Sequence, residues 1–152
     1  IQPTGIVLGE GIGCVALSVQ PNLQCSCELL GVVTLTDNEN LTNSSESALR
    51  HLIHACLNKA NLSPTHIDGV KVHGVGGNSD EMELRVLQDL FPHAQQLSLK
   101  ARMGHTLGAS GALESAFLFE KFTNNEQKCG YFLNYFLGFG GSNIAWVLKV
   151  GQ

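Results

Sequence analysis

The chain has 152 residues, 43% hydrophobic and 14% charged, which suffices for one domain with a substantial core and does not fit a disordered segment. Nine basic against thirteen acidic residues leave a formal charge of −4. No Lys/Arg block is present to neutralise a phosphate backbone or an anionic lipid surface, so neither nucleic acid nor membrane is an expected partner.

No apolar run reaches the length of a membrane span, and residues 1–5 carry neither the charged nor the apolar region of a secretory leader. The cytoplasm is therefore the expected compartment. The five cysteines, Cys14, Cys25, Cys27, Cys56 and Cys129, fit neither a disulfide framework nor a paired C-x-x-C zinc site, and are expected as reduced thiols, mostly in the core. No metal or other cofactor is expected.

In chain order, residues 5–19 alternate small and apolar side chains through Gly9-Glu-Gly-Ile-Gly13, and residues 29–36 form a β-branched run. With Pro21-Asn22 between them, they predict a hairpin. From Asn43 the period changes. Ala48, Leu49, Leu52, Ile53, Cys56, Leu57 and Ala60 recur at helical spacing, Asn43 and Glu46 form a capping pair, and the helix should end near Asn61. A short strand over 69–72 runs into the turn His73-Gly-Val-Gly-Gly77, and Met82, Val86, Leu87, Leu90 and Phe91 define a helix stopped by Pro92. A third helix is predicted from near Gly104. Its Gly108 and Gly111 each cost about 1 kcal/mol in a helix interior, which makes sense if a neighbour's backbone approaches closely. Strands over 131–136 and 144–150 flank the turn Gly138-Phe-Gly-Gly-Ser-Asn143, giving one layered α/β unit over 1–152, with five strands and three helices.

Three glycine-rich turns invite a nucleotide reading, but none has the dinucleotide spacing or a following Gly-Lys-Ser/Thr. His51 and His54 lie off the apolar stripe of their helix, and His66 and His93 follow turn prolines. All four read as surface residues. His73 differs, because it ends an apolar strand at a glycine-rich loop, where open α/β sheets place ligands. His105 follows Lys100 by five residues at a predicted helix N-terminus, whose dipole favours a neutral imidazole. Two neutral imidazoles and an ammonium suit a developing enolate; equally, His73 can satisfy a loop and His105 a helix end. Asp80-x-x-Glu83 at a helix start reads as a capping box, and it leaves room for Glu83 to hold Lys100 in place.

Taken in order, these motifs resemble the C-terminal portion of the β-ketoacyl-(acyl carrier protein) synthases, condensing enzymes of the thiolase superfamily. Gly9-Glu-Gly-Ile-Gly13 resembles a glycine-rich strand of that family, and Val72-His-Gly-Val-Gly-Gly77 with Asp80 and Glu83 its His-Gly-Thr-Gly-Thr segment. Ser98-Leu-Lys-Ala-Arg-Met-Gly-His-Thr-Leu-Gly-Ala-Ser-Gly-Ala-Leu-Glu114 is similar to its Lys/His motif, and Gly138-Phe-Gly-Gly-Ser-Asn143 to its C-terminal turn.

The resemblance implies half of a thiolase-like pseudo-dimer, a mixed sheet of about five strands with helices on its faces. It implies a decarboxylative Claisen condensation in fatty acid or polyketide synthesis, on phosphopantetheine thioesters of acyl carrier protein. His73 and His105 would donate to the malonyl thioester oxygen, Lys100 would orient the His105 side and be tied to Glu83, and the Leu137 N–H would supply an oxyanion donor. Asp80 and Phe139 would support them. The expected partners are the acyl carrier protein, an N-terminal ketosynthase half and a homo- or heterodimeric second subunit. The family's nucleophilic cysteine belongs to that N-terminal half, and none of the five cysteines here sits on a strand-to-helix elbow, so the chain alone is expected to be inactive. Departures from the family pattern are a turn after His73 shorter by one residue, Val75 and Gly77 in place of threonines, Leu137 in place of a gating phenylalanine, and a short stretch over 123–135. They favour the alternative of a non-catalytic, chain-length-factor-like relative. An isolated half should also expose part of the small-residue helix over 105–122 or cover it by self-association.

Overall fold

The computed structural model describes residues 5–20, 27–38, 42, 44–123 and 129–151. Among them are five strands, β1 (Cys27–Thr36), β2 (Ile67–Lys71), β3 (Gln95–Leu97), β4 (Gly130–Leu137) and β5 (Ser142–Val150), in the order β1-β5-β4-β2-β3. β1, β5 and β4 pair antiparallel, whereas β2 runs parallel to both β4 and β3. The sheet is therefore mixed, as expected.

Helices α1 (Glu46–Ala60) and α2 (Ser79–Leu90) cover one face. The apolar stripe read from the sequence is the buried one. Leu49, Leu52, Ile53, Cys56 and Leu57 pack with Val86 and Leu87 against Ile67, Val70, Leu133, Tyr135, Ala145 and Val147. The helix ends where its spacing predicted, at Asn61, whose left-handed backbone (φ 56°) directs its N–H back to Leu57 and Asn58. Its N-cap is Ser45, whose hydroxyl accepts from the Ala48 N–H; Asn43, expected in that role, lies outside the described residues.

The opposite face receives α4 (Ser110–Thr123), through Leu118 and Phe122 on Phe132, Leu148 and Val150. Phe122 and Phe132 have ring centroids 4.7 Å apart. Alternation along β4 thus sends Leu133 and Tyr135 to one layer and Phe132, Asn134 and Phe136 to the other.

Two sequence expectations are corrected. Residues 5–19 form no hairpin with β1, which pairs with β5 instead; their one ladder contact is a parallel bridge between Leu8 and His105. The glycines explain this. A Cβ on Gly9 would lie 2.1 Å from the Met103 carbonyl oxygen, and one on Gly13 would lie 2.5 Å from the backbone of Ala112 and Leu113. The segment's side-chain-free positions let it pass backbone against backbone, not pair as an amphipathic strand. The count of five strands survives because β3 takes the place of that first run.

The third helix is also interrupted. A short α3 (Lys100–Met103) stops at Gly104 (φ +76°), a 3-10 turn follows over Leu107–Ala109, and α4 begins at Ser110. The close approaches fall on Gly9, Gly13 and Gly104, whereas a Cβ on Gly108 or Gly111 would meet nothing within 4 Å. Those two glycines face open space. Leu107 and Phe117 are exposed beside them, as are Ile6, Val7, Leu8, Ile12, Leu17 and Val19 along the opening segment.

Candidate active site

His73 lies two residues beyond the end of β2, so the parallel β2/β4 pairing carries it to the end of the sheet where β4 terminates at Leu137. The turn after it is shaped by carboxylates of α2. Glu83 accepts from the N–H groups of His73 and Gly74, and Asp80 accepts from those of Val75 (3.1 Å) and Gly76 (2.8 Å). Four consecutive backbone donors are thereby satisfied without a helix or sheet partner. The Tyr135 hydroxyl also donates to Glu83, and burial followed by that carboxylate's charge pushes the phenol well above its usual range.

This corrects the reading of Asp80 and Glu83 as a capping box. Asn78 occupies the cap position of α2 without a side-chain cap, and the two carboxylates reach backward into the loop.

His105 is placed by main-chain bonds on both sides. Its N–H donates to the Val7 carbonyl (2.7 Å), and its carbonyl accepts from the Gly9 N–H (3.1 Å). The backbone reversal at Gly104 makes this approach possible, since a Cβ there would lie 2.8 Å from Gly9 N. The two rings meet edge to face, with centroids 5.9 Å apart and planes at 79°, so the expectation that His73 and His105 converge is met.

Both imidazoles are kept neutral. Burial first, then the positive charges of Lys100 and Lys71, push His73 down to about 2. His105 is lowered by burial and by Lys100 and Lys71, against an opposing pull from Glu114. The helix dipole invoked from sequence is not the cause, because α4 starts five residues later. Nδ1 of His105 contacts the Ser110 hydroxyl at 3.2 Å, and Nδ1 of His73 faces the Leu137 N–H at 3.5 Å. Because the Leu137 N–H donates to Nδ1 of His73, the proton of that neutral ring sits on Nε2, where it is available to donate. The Leu137 N–H, expected as an oxyanion donor, is turned to His73 instead. Phe139, two residues on, is 70% exposed.

Lys100 is not tied to Glu83. It pairs with Glu114, on α4, at 2.6 Å (Nζ to Oε1), close but without hydrogen-bond alignment. The other oxygen of Glu114 accepts from Lys71 Nζ at 2.8 Å. Relative exposures of 0% for Lys71, 1% for Glu114 and 6% for Lys100 mark a buried three-membered cluster. The ring of Phe136, itself stacked on Trp146, lies 3.4 Å from Lys71 Nζ and 5.7 Å from Lys100 Nζ.

A sequence profile described as beta-ketoacyl synthase, C-terminal domain, matches residues 26–125. The chain belongs to that family. This ketosynthase domain is 32% identical over 120 residues to nodulation protein E of Rhizobium leguminosarum bv. trifolii, covering 72% of this chain and 30% of the relative. It is 31% identical over 123 residues to 3-oxoacyl-[acyl-carrier-protein] synthase 2 of Coxiella burnetii, covering 73% and 30%. Among solved structures, a ketosynthase in complex with its chain length factor from Xenorhabdus doucetiae superposes with a TM-score of 0.73 at 24% identity, over 87% of this chain and 40% of that one. The fold is thus thiolase-like, and the ketosynthase domain spans about 30% of the length of the curated relatives it matches.

The remaining candidates stay apart from the site. His51, His54, His66 and His93 are exposed, and among the described residues no cluster of three His, Cys, Asp or Glu side chains is arranged to hold a metal ion. The described cysteines are not mostly core residues. Cys14 and Cys129 are exposed, Cys27 is half-buried, and only Cys56 is buried, its thiol pushed up to about 12 by desolvation. Cys25 lies outside the described residues. No described helix is long and apolar enough to cross a membrane. Lys71 and Glu114 are the functional candidates that sequence reading missed. The signal for Lys71 was a lone lysine inside an apolar strand, and for Glu114 an acidic residue at the end of the Lys/His motif.

Proposed function

We propose that residues 1–152 form the C-terminal half of a 3-oxoacyl-(acyl carrier protein) synthase-like enzyme that condenses malonyl and acyl thioesters in fatty acid or polyketide synthesis. The supporting observation is the convergence of two neutral imidazoles, His73 and His105, at one end of the sheet. In the reaction, the bond between the malonyl carboxylate and its α-carbon breaks, CO2 leaves, and the electron pair becomes an enolate on the thioester. The two Nε2–H donors bind that oxygen as its charge grows, and being uncharged beforehand they lose no proton to it. The enolate carbon then attacks an acyl thioester carbonyl, forming a carbon–carbon bond and expelling a cysteine thiolate. The family resemblance assigns that cysteine to an N-terminal half; in keeping with this, the buried Cys56 thiol is held protonated.

The exposed apolar residues of the opening segment and of residues 107–117 support an N-terminal ketosynthase half as the partner that covers them. Acyl carrier protein delivers the thioesters, and a second ketosynthase-like subunit completes the assembly. The free thiols support a reducing compartment, the cytoplasm.

The test measures the two half-reactions separately in the full-length protein. His105→Ala and His73→Ala should each lower CO2 release from a malonyl thioester by about a hundred- to a thousand-fold, while acylation of the nucleophile continues. Undiminished CO2 release in both variants would refute the assignment, and no CO2 release from the unsubstituted protein would favour a non-catalytic, chain-length-factor-like role.

A further inference from the structure

A buried lysine without a carboxylate of its own needs an explanation beyond packing. Lys71 is fully buried, yet Glu114 serves both it and Lys100, so two ammonium groups share one carboxylate and the cluster carries one positive charge in excess. The next carboxylate, Glu83, is on the other side of the sheet, occupied by the His73 and Gly74 N–H groups and the Tyr135 hydroxyl. Among the described residues the Phe136 ring offers Lys71 a further favourable contact, weak beside an ion pair. Burying uncompensated charge is costly, and replacing such groups by apolar ones is often neutral or stabilising. The arrangement therefore sacrifices stability, which points to a functional use of the charge.

We propose that Lys71 is a positioning residue of the histidine centre: by occupying one oxygen of Glu114 it fixes that carboxylate against Lys100, and its charge leaves the site electropositive where an anion forms between His73 and His105. The inference rests on the proposed condensation, and it adds a residue to the Lys100/His105 motif. Two residues of β2 and its following turn, Lys71 and His73, then act on the same anion, one through space and one by hydrogen bonding. The titratable groups coupled to Lys71 are Glu114 from α4 and Lys100 from α3 beside it, Glu83 from α2 across the sheet, and His73 and His105 from the loops. Burial lowers Lys71 to about 8, with Glu114 opposing and Lys100 reinforcing the shift. The charge is therefore present at neutral pH and is lost as pH rises through that value.

The experiment compares Lys71→Met and Lys71→Arg in the full-length protein. Lys71→Met keeps the length of the side chain and leaves a neutral Lys100/Glu114 pair. It should lower CO2 release from a malonyl thioester by about ten- to a hundred-fold, with a Tm equal to or above that of the unsubstituted protein. The unsubstituted protein should lose activity as pH rises through about 8, a limb absent from Lys71→Met and displaced upward in Lys71→Arg. An unchanged rate and pH profile in Lys71→Met, or a rate loss that merely follows a lower Tm, would overturn the proposal. Should the unsubstituted protein release no CO2, the functional reading fails. NMR titration of the His105 ring then decides the placement of charge, since Lys71→Met should raise its midpoint and Lys71→Arg should not, and an unmoved midpoint in both overturns it.

Discussion

Glu114 balances the buried charge of the site, because both lysines depend on it. Glu114→Gln strands two ammonium groups in the interior, and urea unfolding should register a loss of about 3–5 kcal/mol; a loss below about 1 kcal/mol would show that the pairs contribute little. His73 makes a second prediction at this scale. Its folded value near 2 lies far below the ordinary 6.5, so the unfolded chain binds a proton the folded chain refuses. Stability from this group is complete above pH 6.5 and declines as pH falls toward 2. Between pH 7 and pH 4.5, His73→Asn should therefore lose less of its urea midpoint than the unsubstituted chain; equal losses would contradict the shift. His73, His105 and Lys100 were legible in the sequence because their residue types and motif spacing carry chemistry. Lys71 was not, since a lone strand lysine ordinarily reads as solvent-facing, and only the facing Glu114 and Phe136 reveal its burial.

Elements position these side chains by backbone contact more than by packing. The turn after β2 is drawn onto α2 by Glu83 and Asp80, and His105 is drawn onto the opening segment through Val7 and Gly9. Gly9→Ala places a Cβ 2.1 Å from the Met103 carbonyl oxygen. It should cost about 1–3 kcal/mol and lower CO2 release as His105 shifts. Gly111→Ala, with open space around its Cβ, should leave unfolding unchanged or stabilise by up to about 1 kcal/mol. Thermal melts of the two variants check the contrast, and equal effects would contradict it. Helical periodicity made α1 and α2 readable, including the end at Asn61. The opening segment was misread because alternation of glycine with apolar residues mimics a strand, whereas its partner is a sequence-distant backbone that no local pattern encodes.

At the scale of the molecule, the mixed sheet is covered by α1 and α2 on one face and α4 on the other, and apolar side chains remain exposed from the opening segment to Phe117. Surfaces of this kind are uncommon on free monomers. They fit a half whose pocket wall is supplied from outside. The thiolase-like class and, through it, an uncovered small-residue helix were legible from the ordered motifs, whereas the exposure of the opening segment was not. Under the proposed function this chain carries the enolate-stabilising residues, and the nucleophile belongs to the N-terminal half. Intact-mass measurement of the 152-residue chain after incubation with an acyl thioester tests it most directly. The predicted result is no adduct beyond the slow labelling shown by the thiols of the unfolded chain. Stoichiometric acylation of a single cysteine, well above that rate, would contradict it.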